Sequence, residues 1–397
     1  MSGNESAAVK PKAKRSYMFP ITIISISFFL YYILFMRRQF IRSDQRLPFF
    51  WDRSLNKTLK QYVDILPSKY TMFLTGAYES GKSRHLYNFS TDLLRKQRLV
   101  INFDATKFST SETFLEHALI AIRKSLIDIR PYLTSSVLKE IAPSSIGRAH
   151  FTPVGLDPSL LGVYNNLAHS LKSIVDDDGN VQSTGVHNFF ESLDSYRESL
   201  KPVLFIHGGD YLYNSPLFEI VRSIMTRKNQ YQNYIPVVIE LRDSSILFDF
   251  EECNILNKMR VSTAGDLNET ALDILIRSKL FTSFEIRRIS SQIGSQGGPL
   301  AHVLEDLKFD TKIEKAIENE IKAIETKVLD VLRNNVSNYK SSTVTTKLCK
   351  GNGHAFIAER NDLVMFKPLF KHGFLYVDEM LHTHVANKAV LRAICAR

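Results

Sequence analysis

The residue types with the most specific chemistry run from Gly76 through Ala77, Tyr78, Glu79, Ser80, Gly81 and Lys82 to Ser83. They form the pattern G-x-x-x-x-G-K followed by Ser or Thr, whose chemistry is phosphate binding. The glycines let successive backbone N–H groups turn toward α- and β-phosphates, at the positive end of the helix that follows. Lys82 then reaches the β- and γ-phosphates, Ser83 ligates Mg2+, and Arg84 extends the contact set into the helix. No Asn-Lys-x-Asp base-recognition motif accompanies the loop, so ATP is the expected nucleotide.

Such a loop works where a strand enters it and a helix leaves it. The run from Tyr70 to Thr75 reads as a short buried strand, and an apolar-periodic segment through Leu94 reads as the helix. Three further apolar runs, Leu99–Phe103, Val203–Ile206 and Pro236–Ile239, read as buried parallel strands separated by helical segments. The fold class they predict is α/β, a doubly wound parallel sheet.

In P-loop ATPases of this kind one strand ends in an Asp of the Mg2+ shell, followed by a Glu that polarises the attacking water. The stretch that corresponds here is Val203-Leu-Phe-Ile-His207-Gly208-Gly209-Asp210-Tyr211-Leu212. It resembles the pattern of archaeal-type and STAND ATPases, relatives of the AAA+ proteins, in which an apolar strand is followed by Asp-Glu-Ala-Asp-x-Leu. On that pattern His207 takes the metal-binding position and Gly208 the catalytic one, and only Asp210 agrees. Imidazole is a poor partner for hydrated Mg2+, and glycine carries no base. Asp104, Glu240 and Asp210 are the acids near enough to substitute, with Asp210 the expected surrogate at a bent strand end.

The same resemblance extends further along the chain. Glu240-Leu241-Arg242-Asp243 resembles the strand-end Thr-(Ser/Thr)-Arg-Asp of STAND proteins, which implies a γ-phosphate sensor at Arg242. Helices are expected over Asn268–Leu280 and Phe284–Ile293, with Thr282 and Glu285 as a capping box for the second. Gly297-Gly298-Pro299-Leu300 then resembles the signature of the helical lid, which brings Pro299 to the nucleotide. From Thr311 a helix is expected to Asn334, its stripe of Ile313, Ile317, Ile321, Ile324, Val328 and Leu332 packing on the lid in preference to a coiled coil.

The segment from Phe366 to Asp378 resembles part of a winged helix. Lys367, Lys371, Lys388 and Arg392 stand ready for nucleic-acid phosphates, but packing of the module on the ATPase core is the favoured role. Residues 131–185 match nothing, and their turn-rich composition reads as a surface insertion before a helix over Val186–Glu198.

Of the 397 residues, 44% are hydrophobic and 23% charged, with a formal net charge of +10. That balance suits a negative partner: a nucleotide, nucleic acid or an anionic membrane. The three cysteines, Cys253, Cys349 and Cys395, suggest neither a disulfide framework nor a zinc site. Tyr17 to Met36 is a stretch of twenty uncharged residues, the length of a transmembrane helix. Basic residues on both sides leave its orientation open and fit a mitochondrial membrane, with the endoplasmic reticulum membrane and a cytosolic domain as the alternative.

The expected organisation is therefore a basic tail (1–16), a transmembrane helix (17–36), a linker (37–65), the nucleotide-binding domain (66–265), the lid (266–310), and a long helix with a winged-helix-like module (311–397). The expected function is an ATP- and Mg2+-binding switch or scaffold at a membrane, acting on a protein partner and hydrolysing slowly or not at all. An active, oligomeric ATPase of membrane-protein quality control and an organelle DNA-to-membrane tether are the alternatives.

Overall fold

Alternating apolar side chains build a sheet that is buried on both faces. The strands are β1 (Thr71–Gly76), β2 (Val100–Asp104), β3 (Val203–His207), β4 (Val237–Glu240) and β5 (Met259–Ala264). All pair in parallel, in the order β2-β3-β4-β1-β5, so β1 lies between β4 and β5. Met72, Leu74, Val100, Phe205 and Val238 point to one face, where they meet α1 (Arg53–Asp64) and α2 (Lys82–Arg95). Phe73, Ile101, Leu204, Ile206 and Ile239 point to the other face, as the two-residue strand period requires. There they join the core built by α3 (Ser111–Ile129), α4 (Ser135–Ile141), α5 (Leu161–Lys172), α6 (Ser183–Asp194) and α7 (Phe218–Arg227).

This computed structural model describes residues 29–32, 53–64, 70–108, 110–141, 155–213, 215, 217–227, 235–252, 259–309, 311–335, 343–351, 353–356, 360–378 and 380–396. The expected transmembrane helix lies outside the described residues except for Phe29–Tyr32, which are helical. Among the described residues no helix is long and apolar enough to cross a membrane.

Three expectations need correction. The first is the surface insertion. Within it, α5 buries Leu161, Val163, Leu167 and Leu171 against α3 and α6, so this segment is core that a scan for turns overlooks. The helix after it is also earlier than expected, Ser183–Asp194 in place of Val186–Glu198.

The second correction is β5. At the sheet edge, it buries Met259, Val261 and Ala264, leaves Arg260 exposed and Ser262 and Thr263 partly so, and carries no continuous apolar run. The third is the cysteines. Cys349 and Cys395 are joined as a disulfide, with Cα atoms 5.8 Å apart and a separation of 46 positions in sequence. Sequence spacing could not reveal a pair brought together by tertiary folding.

After β4 come α8 (Ile246–Glu252) and then the lid helices α9 (Glu269–Arg277), α10 (Ser283–Gln292) and α11 (Gly297–Lys308). The capping box that starts α10 is formed: the Glu285 N–H donates to Thr282 Oγ1 at 3.1 Å, and the Thr282 N–H donates to the Glu285 carboxylate at 2.7 Å. The long helix α12 (Ile313–Asn335) buries Ile317, Ile324, Val328 and Leu332.

α12 packs on α11 and on the C-terminal module. That module contains α13 (Thr343–Lys350), β6 (His354–Phe356), α14 (Arg360–Lys371), β7 (Leu375–Val377), β8 (His382–Val385) and α15 (Lys388–Cys395). Its three strands form an antiparallel sheet in the order β6-β8-β7.

The disulfide ties α13 to α15 at the end of the chain. A closed loop of this size restricts the unfolded chain by about 4 kcal/mol in the loop-entropy account. A Cys349→Ser, Cys395→Ser double variant is expected to melt several degrees lower than the oxidised wild type in calorimetry, and dithiothreitol should lower the wild type to the same point.

Candidate nucleotide site

The loop's backbone has the geometry that its glycines permit. Gly76 has φ +135° and lies so close to β5 that a Cβ there would meet the Ala264 carbonyl oxygen at 2.3 Å. Gly81, at φ +89°, caps α2. Glu79 takes a left-handed φ of +59° without being glycine, a conformation that costs a side-chain-bearing residue energy.

Lys82 is buried, and its Nζ donates to the carbonyls of Gly76 and Ala77, each at 2.8 Å. Burial pushes its pKa down from 10.5 to about 8, against the opposing pull of the Glu240 and Asp210 carboxylates. An ammonium held inside its own loop, with carboxylates nearby, fits the phosphate chain of a nucleotide, whose charge offsets the loss of water.

Three strand ends meet beneath this lysine. Ser83, at the start of α2, donates through Oγ to Glu240 Oε1 at 2.5 Å. The other oxygen, Oε2, lies 2.7 Å from His207 Nδ1, and His207 Nε2 lies 3.4 Å from Asn102 Oδ1. Burial acts to raise the Glu240 pKa. The hydrogen bond and charge of His207, the Ser83 hydroxyl and Lys82 outweigh it and hold this carboxyl below its usual range. Ser83 and His207 also line a groove of about 740 Å³ that continues between α2 and α3 past Arg84, Tyr87 and Lys124.

Asp210 stands elsewhere. It lies in the helical turn Gly209–Leu212 after β3, where its Oδ1 accepts the Arg242 backbone N–H at 2.9 Å. Burial raises its pKa despite that bond. The acid that meets Ser83 is thus Glu240, and Asp210 shapes the turn after β4. Asp104 is likewise engaged, by the Thr106 hydroxyl at 2.6 Å and the Lys107 ammonium at 3.5 Å.

Arg242 is exposed, with its guanidinium 5.1 Å from the centre of the Tyr78 ring and its Nη1 donating to the Tyr211 hydroxyl at 3.3 Å. Together with Tyr78, Glu79, Pro299, His302 and His372 it lines a cleft of about 380 Å³. Sequence motifs from the loop, the strand end and the lid therefore converge on one cleft.

Both outer modules rest on the loop itself. The Gly298 N–H at the start of α11 donates to the Glu79 carbonyl at 3.1 Å, and a Cβ on Gly298 would meet Glu79 Cβ at 2.4 Å. The Tyr78 N–H donates to the carbonyl of Gly373, in the turn before β7, at 3.0 Å. Thr75 Oγ1 donates to the Val377 carbonyl at 2.8 Å, and the Val377 N–H donates to Ser244 Oγ at 3.0 Å. His302 bridges the modules, 3.1 Å from Glu320 of α12 and 3.8 Å from Glu79. None of Gly373, Val377, His302 and Glu320 stands out in the sequence, because each acts through a neighbour distant along the chain.

The basic residues of the C-terminal module are partly engaged within the chain. Lys388 Nζ donates to the carbonyls of Ser291 at 3.0 Å and Ser290 at 3.5 Å, and Arg392 donates to that of Gln292 at 3.3 Å. These carbonyls end α10, where positive charge is favoured. Lys367 lies 5.3 Å from the centre of the Tyr213 ring.

A Walker-type ATPase of Pyrococcus abyssi superposes on this chain with a TM-score of 0.52 at 14% identity, over 87% of this chain and 96% of that one. The fold is that of a P-loop ATPase. Two further solved structures align more loosely: Cdc6p of Pyrobaculum aerophilum, with a TM-score of 0.34 at 10% identity over 89% and 97% of the two chains, and the Orc1 protein of Aeropyrum pernix, solved in complex with DNA, with 0.36 at 13% over 90% and 95%. No protein-family model matches the sequence, and no curated protein matches it. Identities this low speak to fold alone, so the chemistry rests on this chain's own residues.

Proposed function

We propose that the chain is an ATP-binding switch or scaffold, anchored to a membrane by residues 17–36 and slow to hydrolyse its nucleotide. The observation that carries this reading is the double docking on the phosphate loop. Gly298 of the lid holds the Glu79 carbonyl, and Gly373 of the C-terminal module holds the Tyr78 N–H. A nucleotide whose phosphates order the loop thereby reaches both modules, with Arg242 as γ-phosphate sensor and Pro299 as the lid contact.

Slow turnover follows from the strand ends. His207 and Gly208 occupy the positions at which archaeal-type and STAND ATPases carry Asp and Glu, and glycine supplies no general base. The C-terminal helices and three-stranded sheet fit a winged helix that packs on the core. The partner that reads the switch is then a protein, at a mitochondrial membrane on the charge of the flanking segments.

The test is ATP binding and turnover by the full chain in detergent, beside Lys82→Ala. Tight Mg-ATP binding that the variant loses, with turnover no faster than the variant's, is the expected result. Turnover that depends on Lys82 would contradict slow hydrolysis, and absence of binding by the wild type would contradict the whole reading. Extraction of the chain from membranes by alkaline carbonate would contradict the anchor.

A further inference from the structure

The sheet register explains what replaces the missing acid. In the β3–β4 pair, Ile206 is opposite Ile239, so the next residues, His207 and Glu240, stand side by side at the carboxyl ends of adjacent strands. The carboxylate absent from β3 is thus present one strand away, directed at the same place. We propose that Glu240 is the protein carboxylate of the Mg2+ shell in this chain, with His207 as the positioning residue that holds it. The proposal rests on the nucleotide-binding reading above.

The geometry is specific. Glu240 Oε1 and Ser83 Oγ are 2.5 Å apart. Two oxygens on adjacent corners of an octahedral Mg2+ site lie about 3.0 Å apart for metal–oxygen distances near 2.1 Å. A separation about half an ångström wider would therefore let both oxygens hold the cation together with phosphate oxygens. The hard oxygens of Ser83 and Glu240 suit Mg2+, whereas the imidazole of His207 does not.

His207 has a different task. Its Nδ1 lies 2.7 Å from Glu240 Oε2, which leaves Oε1 for the cation side and fixes the carboxylate's orientation, as outer-shell partners do. Glu240 is only 6% exposed, and a buried carboxylate must be matched by hydrogen bonds or positive charge. Ser83, His207 and Lys82 supply that match in the protein alone. The two other acids considered for the role are held elsewhere, Asp210 by the Arg242 N–H and Asp104 by Thr106 and Lys107.

The experiment separates nucleotide binding from cation binding in the full chain. ATP affinity is measured by calorimetry in excess Mg2+ and in EDTA, and Mn2+ affinity in the presence of ATP is measured by electron paramagnetic resonance. Wild type is expected to bind ATP more tightly with the cation. Glu240→Gln should retain its affinity in EDTA and bind Mn2+ about 10- to 100-fold more weakly. Adding His207→Asp to that variant returns a carboxylate from the adjacent strand and should recover Mn2+ affinity.

Glu240→Gln with wild-type Mn2+ affinity would overturn the proposal. So would a folded double variant without recovery, which would mark the Glu240–His207 pair as structural. Wild type that fails to bind ATP in either buffer would refute the nucleotide reading itself.

Discussion

Lys82→Met is expected to abolish nucleotide binding and at the same time to raise the melting temperature at pH 7. A pKa lowered from 10.5 to about 8 means that the folded protein disfavours the charged lysine by about 3 kcal/mol relative to the unfolded chain. Below pH 8 both states are protonated and the folded state bears this penalty in full. Between pH 8 and 10.5 the unfolded chain binds more protons than the folded one, so the penalty shrinks as pH rises. Methionine removes it at every pH but gives up the hydrogen bonds to the Gly76 and Ala77 carbonyls. The net gain is about 1–2 kcal/mol, a few degrees in calorimetry.

The same lysine sets the pH profile of binding. Phosphates favour its charged form, so ATP affinity holds below pH 8 and falls by up to about tenfold per unit above it. Titration calorimetry across pH 7 to 10 checks both signs. A variant that melts lower than wild type, or affinity that does not fall above pH 8, would mean that Lys82 is not the buried charge described here.

Gly373→Val is the second large effect. Gly373 sits at φ +68°, and a Cβ there would lie 2.8 Å from Tyr78 Cβ and 2.9 Å from Tyr78 N. The left-handed conformation alone costs a residue with a side chain about 1–2 kcal/mol, and the clash is with backbone, which cannot turn aside. The contact that gives way is the docking of the C-terminal module on the loop, since the carbonyl of Gly373 accepts the Tyr78 N–H. The expected outcome is a chain that still binds ATP but is cut by trypsin in the C-terminal module at the same rate with or without it. Wild type should be protected by ATP. A variant that keeps this protection would show that the Gly373 contact does not couple the loop to the module.

How far the sequence was legible follows from where each signal lies. The strands β1 to β4 could be read because strands buried on both faces are continuous apolar runs. β5 escaped because an edge strand such as Met-Arg-Val-Ser-Thr-Ala places Arg260 and Ser262 in its run. The phosphate loop and lid motifs are local, and their residues do converge: Tyr78, Glu79, Arg242 and Pro299 line one cleft.

What sequence reading could not supply is register and tertiary contact. That Glu240 meets Ser83, and stands beside His207 because β3 and β4 align Ile206 with Ile239, is visible only in the folded chain. Helix α5, lying inside a turn-rich segment, and the Cys349–Cys395 bond depend on partners distant along the chain.

The central claim is that ATP in the phosphate loop is read by the C-terminal module. Hydrogen exchange over residues 373–378 of the full chain, with and without saturating Mg-ATP, tests it most directly. The account predicts that ATP slows exchange there in wild type and leaves Lys82→Met unchanged. Exchange that stays the same or quickens while ATP is bound would contradict it.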